Sequence, residues 1–258
     1  MNKVAIVLLN YNMPERAEGI IAHVLARVEV PYELIVVDNG SDLVSPAVGT
    51  NLRLEKNVQV SNGFRMGLAY ADAIAAWERF EFFAYWFLIT SLEFMTKDLT
   101  DPLEPLLKEM VDNPEVAMVV PSLSPRTNTA WENQKWRPVS DKPGGLTRET
   151  WGTDFYLAGL VRASWFNKIG RFNSALRYGW GICSEVNWKA RRDGMKILLH
   201  NEVIIHKETN IGYVMDRMNM TADDRGVLSS DEMNYILEQK YGVLALEKLG
   251  HEFRGKYL

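Results

Sequence analysis

The segment from Val4 to Asp42, VAIVLLNYNMPERAEGIIAHVLARVEVPYELIVVDNGSD, constrains the fold more than any other part of this chain. It reads as strand, helix, strand. Lys3–Leu9 is a continuous apolar run of strand length, the pattern of a strand buried on both faces. Asn10-Tyr11-Asn12-Met13-Pro14 breaks it, and the proline suits the first turn of a helix. Ala17, Ile20, Ile21, Val24, Leu25 and Val28 then fall on one helical stripe. Tyr32–Val37 is a second strand, and Asp38-Asn39-Gly40-Ser41 is the turn at its carboxyl end. Ligands of open α/β sheets bind just outside the carboxyl ends of the strands. Asn10–Asn12 and Asp38–Ser41 should therefore line one crevice.

Composition narrows the class. The chain has 258 residues, 47% of them hydrophobic, enough for one large domain or one domain with an extension. A net charge of −4 gives no support for a broad electrostatic grip on nucleic acid. Cys183 is the single cysteine, so no intrachain disulfide framework exists. No run approaches the about 18–20 apolar residues of a membrane-spanning helix. Lys3 leads straight into a strand, without the pattern of a signal peptide. The expectation is a soluble, cytoplasmic protein. Eight tryptophans are many for this length, and aromatic rings serve either as core or as platforms for sugar rings.

The strand ends Leu9-Asn10-Tyr11-Asn12 and Val36-Val37-Asp38-Asn39-Gly40-Ser41 resemble those of the family 2 glycosyltransferases with the GT-A nucleotide-sugar-binding fold. That resemblance implies one GT-A (Rossmann-like) α/β domain with a mainly parallel central sheet flanked by helices. It implies that Asp38 accepts the N–H of the donor's uracil or a similar base, with Asn10, Tyr11, Asn12 and Asn39 beside it. Further along, Asn57 and Gly67 fit the family's element under the donor, while Gln59 stands for a glycine and Arg65 for an asparagine. An arginine there would face the diphosphate.

Phe83–Ile89 reads as the next strand. At its end the family carries a "DxD" or "NxD" motif that holds a divalent metal against the diphosphate. Here the segment is Ile89-Thr90-Ser91-Leu92-Glu93-Phe94, so Ile89 and Ser91 occupy the two motif positions and both acids are gone. Weak or absent dependence on Mn2+ or Mg2+ follows, with Arg65, Lys207 and His206 left to balance the charge and Ser91 to donate a hydrogen bond. Leu99 to Val111 marks an amphipathic helix and Val116–Val120 another strand. Residues 121–150 lose periodicity and read as a long acceptor-side loop, with Trp131, Trp136 and Trp151 on or beside it.

Thr153–Arg162 reads as a strand, and Trp165–Asn173 is similar to the family's "F-x-x-I-G-x-F-D" turn, Asn173 replacing the acid. Tyr178-Gly179-Trp180-Gly181 and the following helix align with an aromatic-glycine run and "E-D-x-D-(apolar)-x-x-R". Ser184-Glu185 take the acidic pair, Asn187 the later aspartate and Arg191 the arginine. The resemblance makes Glu185 the general base, although a carboxylate in the first turn of a helix is also comfortable for dipole reasons alone. Trp151, Asp154 and Trp180 are the acceptor-side candidates. Met195–Leu199 and Glu202–Ile205 read as short strands ending at His206, which matches a late family histidine able to ligate metal. Residues 207–230 are polar and aperiodic, a candidate flap, and Asp231–Tyr241 is a helix. The division expected is a GT-A domain over 1–210 and a flap with a helical extension over 211–258.

The function this implies is inverting transfer of a sugar from a nucleotide-diphosphate donor, UDP-linked, to an acceptor hydroxyl of a glycan or other molecule. The alternative from another class is a silent homologue that binds nucleotide sugar or glycan without transfer. A transferase acting on modified nucleic-acid bases is a weaker reading. A nucleotidyltransferase or dinucleotide-binding protein would need a Gly-rich phosphate loop after the first strand, and Asn10–Pro14 lacks one.

Overall fold

Strand β1 (Val4–Asn10) is buried along its whole length, as its unbroken apolar run requires. Its side chains alternate between two cores. Ala5, Val7 and Leu9 enter one, and Val4, Ile6 and Leu8 enter the other. Each must therefore be covered by helices, and burying such a side chain stabilises the fold by about 1.5–3 kcal/mol. Helix α1 (Pro14–His23) covers the second face through Ala17 and Ile20. Helix α2 (Gln59–Glu78) covers the first through Phe64, Leu68 and Ala71.

The computed structural model describes residues 3–95, 101–129, 131–137, 146–208 and 222–242. Among them the remaining strands are β2 (Tyr32–Asp38), β3 (Leu52–Arg53), β4 (Ala84–Ile89), β5 (Leu92–Phe94), β6 (Val116–Leu123), β7 (Thr147–Glu149), β8 (Leu160–Arg162) and β9 (Lys196–Lys207). They form one sheet in the order β3-β2-β1-β4-β8-β6-β9-β5, with β7 also paired to β9. The long strands β1, β2, β4, β6 and β9 all run the same way, β1 pairing parallel with β2 and β4, and β6 with β9. The three-residue strands β5, β7 and β8 pair antiparallel. The sheet is thus mixed: its long strands and the short β3 run one way, and β5, β7 and β8 run against them. Helix α3 (Glu104–Asp112) lies with α1 on one face. Helices α4 (Ala163–Lys168), α5 (Ile182–Arg192) and α6 (Ala222–Tyr241) contribute to the other core.

Several elements differ from the sequence expectation. The stretch 153–162 is a strand only over its last three residues. Before it the chain turns tightly, with Ala158 left-handed at φ 55°. A Cβ at Gly159 would lie 2.2 Å from the Phe155 carbonyl oxygen. The two short strands expected before His206 are one strand, β9, whose register against β6 shifts after Pro121↔His200. The loop expected over 121–150 begins later, because β6 continues to Leu123, and it ends in β7. Leu99 and residues 209–221 of the expected flap lie outside the described residues. The rest of the flap, residues 222–230, is the first half of α6, a helix its Gly, Ser and exposed Val227 and Leu228 do not advertise by periodicity. No helix among the described residues is long and apolar enough to cross a membrane.

The approach of α2 to the sheet depends on small residues. A Cβ at Gly67 would sit 2.5 Å from Val7 Cγ1 and 3.0 Å from Val37 Cγ2, whereas one at Gly19 in α1 would meet nothing within 4 Å. Overpacking costs about 1–3 kcal/mol, and alanine gains about 1 kcal/mol over glycine inside a helix. Gly67→Ala should lower stability on balance and Gly19→Ala should raise it. Urea unfolding of the two variants checks this, and equal shifts would mean that α2 does not lie this close to β1.

Candidate active site

The strand order switches sides at β1: β2 lies on one side of β1, and the chain returns through α2 to place β4, also parallel, on the other. The carboxyl ends of these strands lie side by side at the edge where open α/β sheets bind ligands, and their loops are tied together. Asn12 is left-handed at φ 55°, which asparagine tolerates. Its side chain accepts from the Asp42 and Leu43 amides at 3.0 and 3.1 Å and donates to the Asp42 carboxylate at 3.0 Å. Its own amide donates to Ser41 Oγ at 2.8 Å, and the Tyr11 hydroxyl donates to Asp42 at 3.4 Å.

Asp38 closes this half, with a side chain that has no exposure to solvent. Ser41 donates to it twice, from its hydroxyl and from its amide at 3.2 Å. Asn10 Nδ2 donates at 3.4 Å, and Arg53 Nε lies 3.5 Å from Oδ2. Ser41 belongs to the turn expected to line the crevice, whereas Arg53 was not singled out in the sequence; both contacts were findable. Ser41 stands three residues after Asp38, the spacing of a side-chain-capped turn, and Arg53 lies directly opposite Asp38 in the β2–β3 register. Gly40 permits the turn: its φ is +74°, and a Cβ there would sit 2.2 Å from the Lys56 carbonyl carbon.

The other half is built from the end of β9, the loop after β6 and the turn before β8. His206 Nδ1 lies 2.8 Å from Ser124 Oγ and 3.1 Å from Thr127 Oγ1. The Lys207 amide donates to Thr127 Oγ1 at 3.1 Å, and the Glu208 amide donates to the Ser91 carbonyl at 3.0 Å. That last bond joins β9 to the tip after β4. Asp154 is half-buried, accepts from Thr129 Oγ1 at 2.9 Å, and has its amide held by Gln134 Oε1 at 2.8 Å. Burial pushes the Asp154 carboxyl above the usual aspartate value, against the opposing pull of Thr129, the Trp131 indole and the Lys207 charge. Its thiol neighbour Cys183, in the first turn of α5, is pushed well up by burial and by Asp154.

Other expected site residues lie elsewhere. Asn39 is buried and faces the entry of α2. Its side chain bonds Asn57 at 3.1 Å and accepts from the Val58 amide at 3.1 Å, so it fixes a loop. Arg65 sits on the outer, exposed side of α2, bonded to Asn62 at 3.3 Å. It lines a shallow cleft of about 430 Å³ with Met66, Gly170 and Arg171. Two residues away, Gly63 faces the sheet, so helix phase turns Arg65 away from the crevice.

Glu185 is 1% exposed and packed into the seam between α5 and α6. Lys240 Nζ donates to its Oε1 at 2.6 Å, the Tyr241 hydroxyl donates to the same oxygen, and Lys189 Nζ lies 3.3 Å away. Burial alone would raise this carboxyl. The hydrogen bonds of Lys240 and Tyr241 and the Lys189 charge outweigh burial and hold it below the usual range. The carboxylate expected as the base is thus engaged by two ammonium groups and a phenol, an arrangement that serves the seam and differs from an open base. The signal for the seam was in the sequence: Glu185 and Lys189 stand at i and i+4.

The aromatic candidates fare differently. Trp151 packs edge-on against Trp131, ring centroids 4.8 Å apart. Trp180 is 52% exposed. It stands between Gly179 and Gly181, both left-handed, where a Cβ would strike Val60 of α2 and Met233 of α6 respectively. The loop is thus clamped while its indole faces solvent.

The donors at the lost motif do not suit a divalent cation. Magnesium and manganese want several oxygen ligands. Ile89 and Ser91 bring no carboxylate, and the Nδ1 of His206 is engaged by two hydroxyls. Glu93 is exposed on β5 and lines a cleft against α1. Among the described residues no three His, Cys, Asp or Glu side chains gather within metal-binding reach.

No protein-family model matches the chain, and no curated protein sequence matches it. Among solved structures it is similar to GalNAc-T7 with UDP, GalNAc and Mn2+, at a TM-score of 0.56 and 11% identity over 80% of this chain and 44% of that one. That likeness shows the fold, a central sheet flanked by helices of the GT-A glycosyltransferase kind. This chain spans less than half the length of that transferase.

The Glu185 seam yields a test. Glu185→Gln removes a charge-assisted acceptor and should cost about 1–3 kcal/mol. That is less than a fully buried pair would cost, because the Lys240 side chain is 45% exposed. Since folding lowers the Glu185 pKa, its contribution is full above the ordinary glutamate value of about 4.3 and fades as pH falls through the depressed one. Wild-type stability should therefore drop across that acid window more steeply than that of the variant. Parallel curves in acid denaturation would mean that the seam carries no such linkage.

Proposed function

We propose that the chain is an inverting glycosyltransferase of the family 2 type, moving a sugar from a nucleotide-diphosphate donor, UDP-linked, to an acceptor hydroxyl. The observation that carries this reading is Asp38, a carboxylate closing β2 beside the switch in strand order of a GT-A sheet. That is where a uracil N–H would seek an acceptor. The related fold was solved with UDP, GalNAc and Mn2+, which supports the donor class. The Arg53 side chain, which covers Asp38, is 57% exposed and free to swing aside without disturbing the core. The diphosphate then falls toward Ser91 and Lys207, where an ammonium group and a hydroxyl meet the charge that the missing acids would have met through metal. A leaving group stabilised electrostatically gains the largest single catalytic term. Trp180 offers a flat apolar face to an acceptor ring, and α6 is the extension that braces its loop.

Two outcomes follow. Asp38→Ala should weaken UDP binding by about 1.5–3 kcal/mol, the range for a bond to a charged group, and Arg65→Ala should leave it unchanged. Calorimetry with UDP measures both, and unchanged affinity for Asp38→Ala would contradict the placement of the base. Release of UDP from a panel of UDP-sugars should persist in chelator and respond weakly to added manganese. Strict dependence on the metal would contradict the charge-balance role of Lys207. Retained UDP binding with no turnover on any donor would favour the silent, binding-only homologue.

A further inference from the structure

We infer that Asp154, on the turn before β8, is the general base that activates the acceptor hydroxyl, a role moved off helix α5. This rests on the transfer reading above and adds the group that the reading still lacks. Glu185, the carboxylate of α5 aligned with a base, is sealed in the α5–α6 seam by Lys189, Lys240 and Tyr241. The first turn of α5 meets Asp154 instead, through Cys183, whose sulfur also accepts from the Phe155 and Tyr156 amides. Asp154 is thus held against the helix end that Glu185 turns away from.

The turn that carries Asp154 lies at the carboxyl end of β4, because it precedes β8 and β8 runs antiparallel to β4. The charged and titratable neighbours of the Asp154 carboxylate are Lys207 on β9 and Cys183 on α5, and its hydrogen-bond donors are Thr129 Oγ1 at 2.9 Å and the Trp131 indole. Lys207 is followed by Glu208, whose amide bonds the Ser91 carbonyl at 3.0 Å. The loop that holds Asp154 through Thr129 also accepts the Lys207 amide at Thr127, so hydrogen-bonded chain links the Asp154 turn to the end of β4, where the transfer reading puts the diphosphate. Because Thr129 and Gln134 fix the side chain and the backbone of Asp154, the group is oriented before substrate arrives. Burial lifts its proton affinity above that of ordinary aspartate, which suits a group that must accept a proton.

The step balances. An Asp154 oxygen takes the acceptor O–H proton as that oxygen forms its bond to the anomeric carbon from the side opposite the leaving group. The bond between the anomeric carbon and the diphosphate oxygen breaks, and its electron pair departs with the nucleotide diphosphate. The proton on Asp154 passes to solvent once the glycosylated acceptor leaves.

The test uses the full chain and needs no knowledge of the natural acceptor. UDP release is followed from UDP-glucose, UDP-galactose, UDP-GlcNAc and UDP-GalNAc, with water as the only acceptor, across pH 4–9 (about the range set by carboxylate titration). Wild type should lose rate toward acid as Asp154 protonates, with the midpoint above the ordinary aspartate value. Asp154→Asn should lower release by about 10²–10⁴-fold, abolish that acid limb and leave UDP affinity intact. Asp154→Glu should restore part of the rate together with the limb, which a residue that merely held its loop would not do. Asp154→Asn that keeps both rate and acid limb overturns the assignment. Wild type that releases no UDP from any donor overturns the transfer reading itself, and this inference with it, before any variant is compared.

Discussion

A carboxylate taken fully out of water must be satisfied on every side, and Asp38 is satisfied by groups from three separate pieces of chain. Asn10 comes from β1, Ser41 from its own turn and Arg53 from β3. The Ser41 bonds are local to the turn, but those of Asn10 and Arg53 form only when β1, β2 and β3 lie side by side in register. The same turn is locked to the β1 loop through Asn12 and Ser41, and to the start of α2 through Asn39. One buried charge therefore sets the positions of the β1, β2 and α2 loops around the crevice. Removing water from it also raises the strength of any hydrogen bond a ligand makes there.

The other side of the crevice follows a different logic. There the polar groups are hydroxyls and amides of Ser124, Thr127, Thr129 and Gln134, which hold His206 and Asp154 without bringing competing charge. Helix α5 divides its two faces between tasks. The face bearing Cys183 meets Asp154, while the face bearing Glu185 and Lys189 anchors α6. A carboxylate committed to two lysines and a tyrosine stabilises the seam and cannot at once serve as an open base. Helix α6 in turn supplies Met233 and Glu232 against the Tyr178–Gly181 loop, so the exposure of Trp180 depends on the seam being closed.

The sequence made the first half of the molecule readable because β1, β2 and β4 are long and buried on both faces, so their apolar runs are unambiguous. It did not show β5 or β7 and made β8 too long; these three have three residues each and owe their pairing to neighbours far along the chain. Asn10, Asn12 and Asp38 fall at the crevice because a strand end is fixed by the strand itself. Arg65 and Glu185 were misplaced for one shared reason: both stand on helices, where a motif alignment gives the position along the axis but not the face. Helix phase would have helped, since Arg65 follows Gly63, which faces the sheet, and Glu185 precedes Lys189 by one turn. Asp154 was named in the sequence as an acceptor-side candidate, while its contact with α5 needed the fold.

The claim that the remaining chemistry depends on is that a nucleotide diphosphate lies across the ends of β1, β2 and β4. A crystal structure of the full chain with UDP, grown in chelator, measures this directly. The account predicts the uracil against Asp38 with Arg53 displaced, the diphosphate beside Ser91 and Lys207, and an open path from there to Asp154. UDP seated in the outer cleft of α2 beside Arg65 and Arg171, or a uracil that leaves Asp38 covered by Arg53, would contradict it.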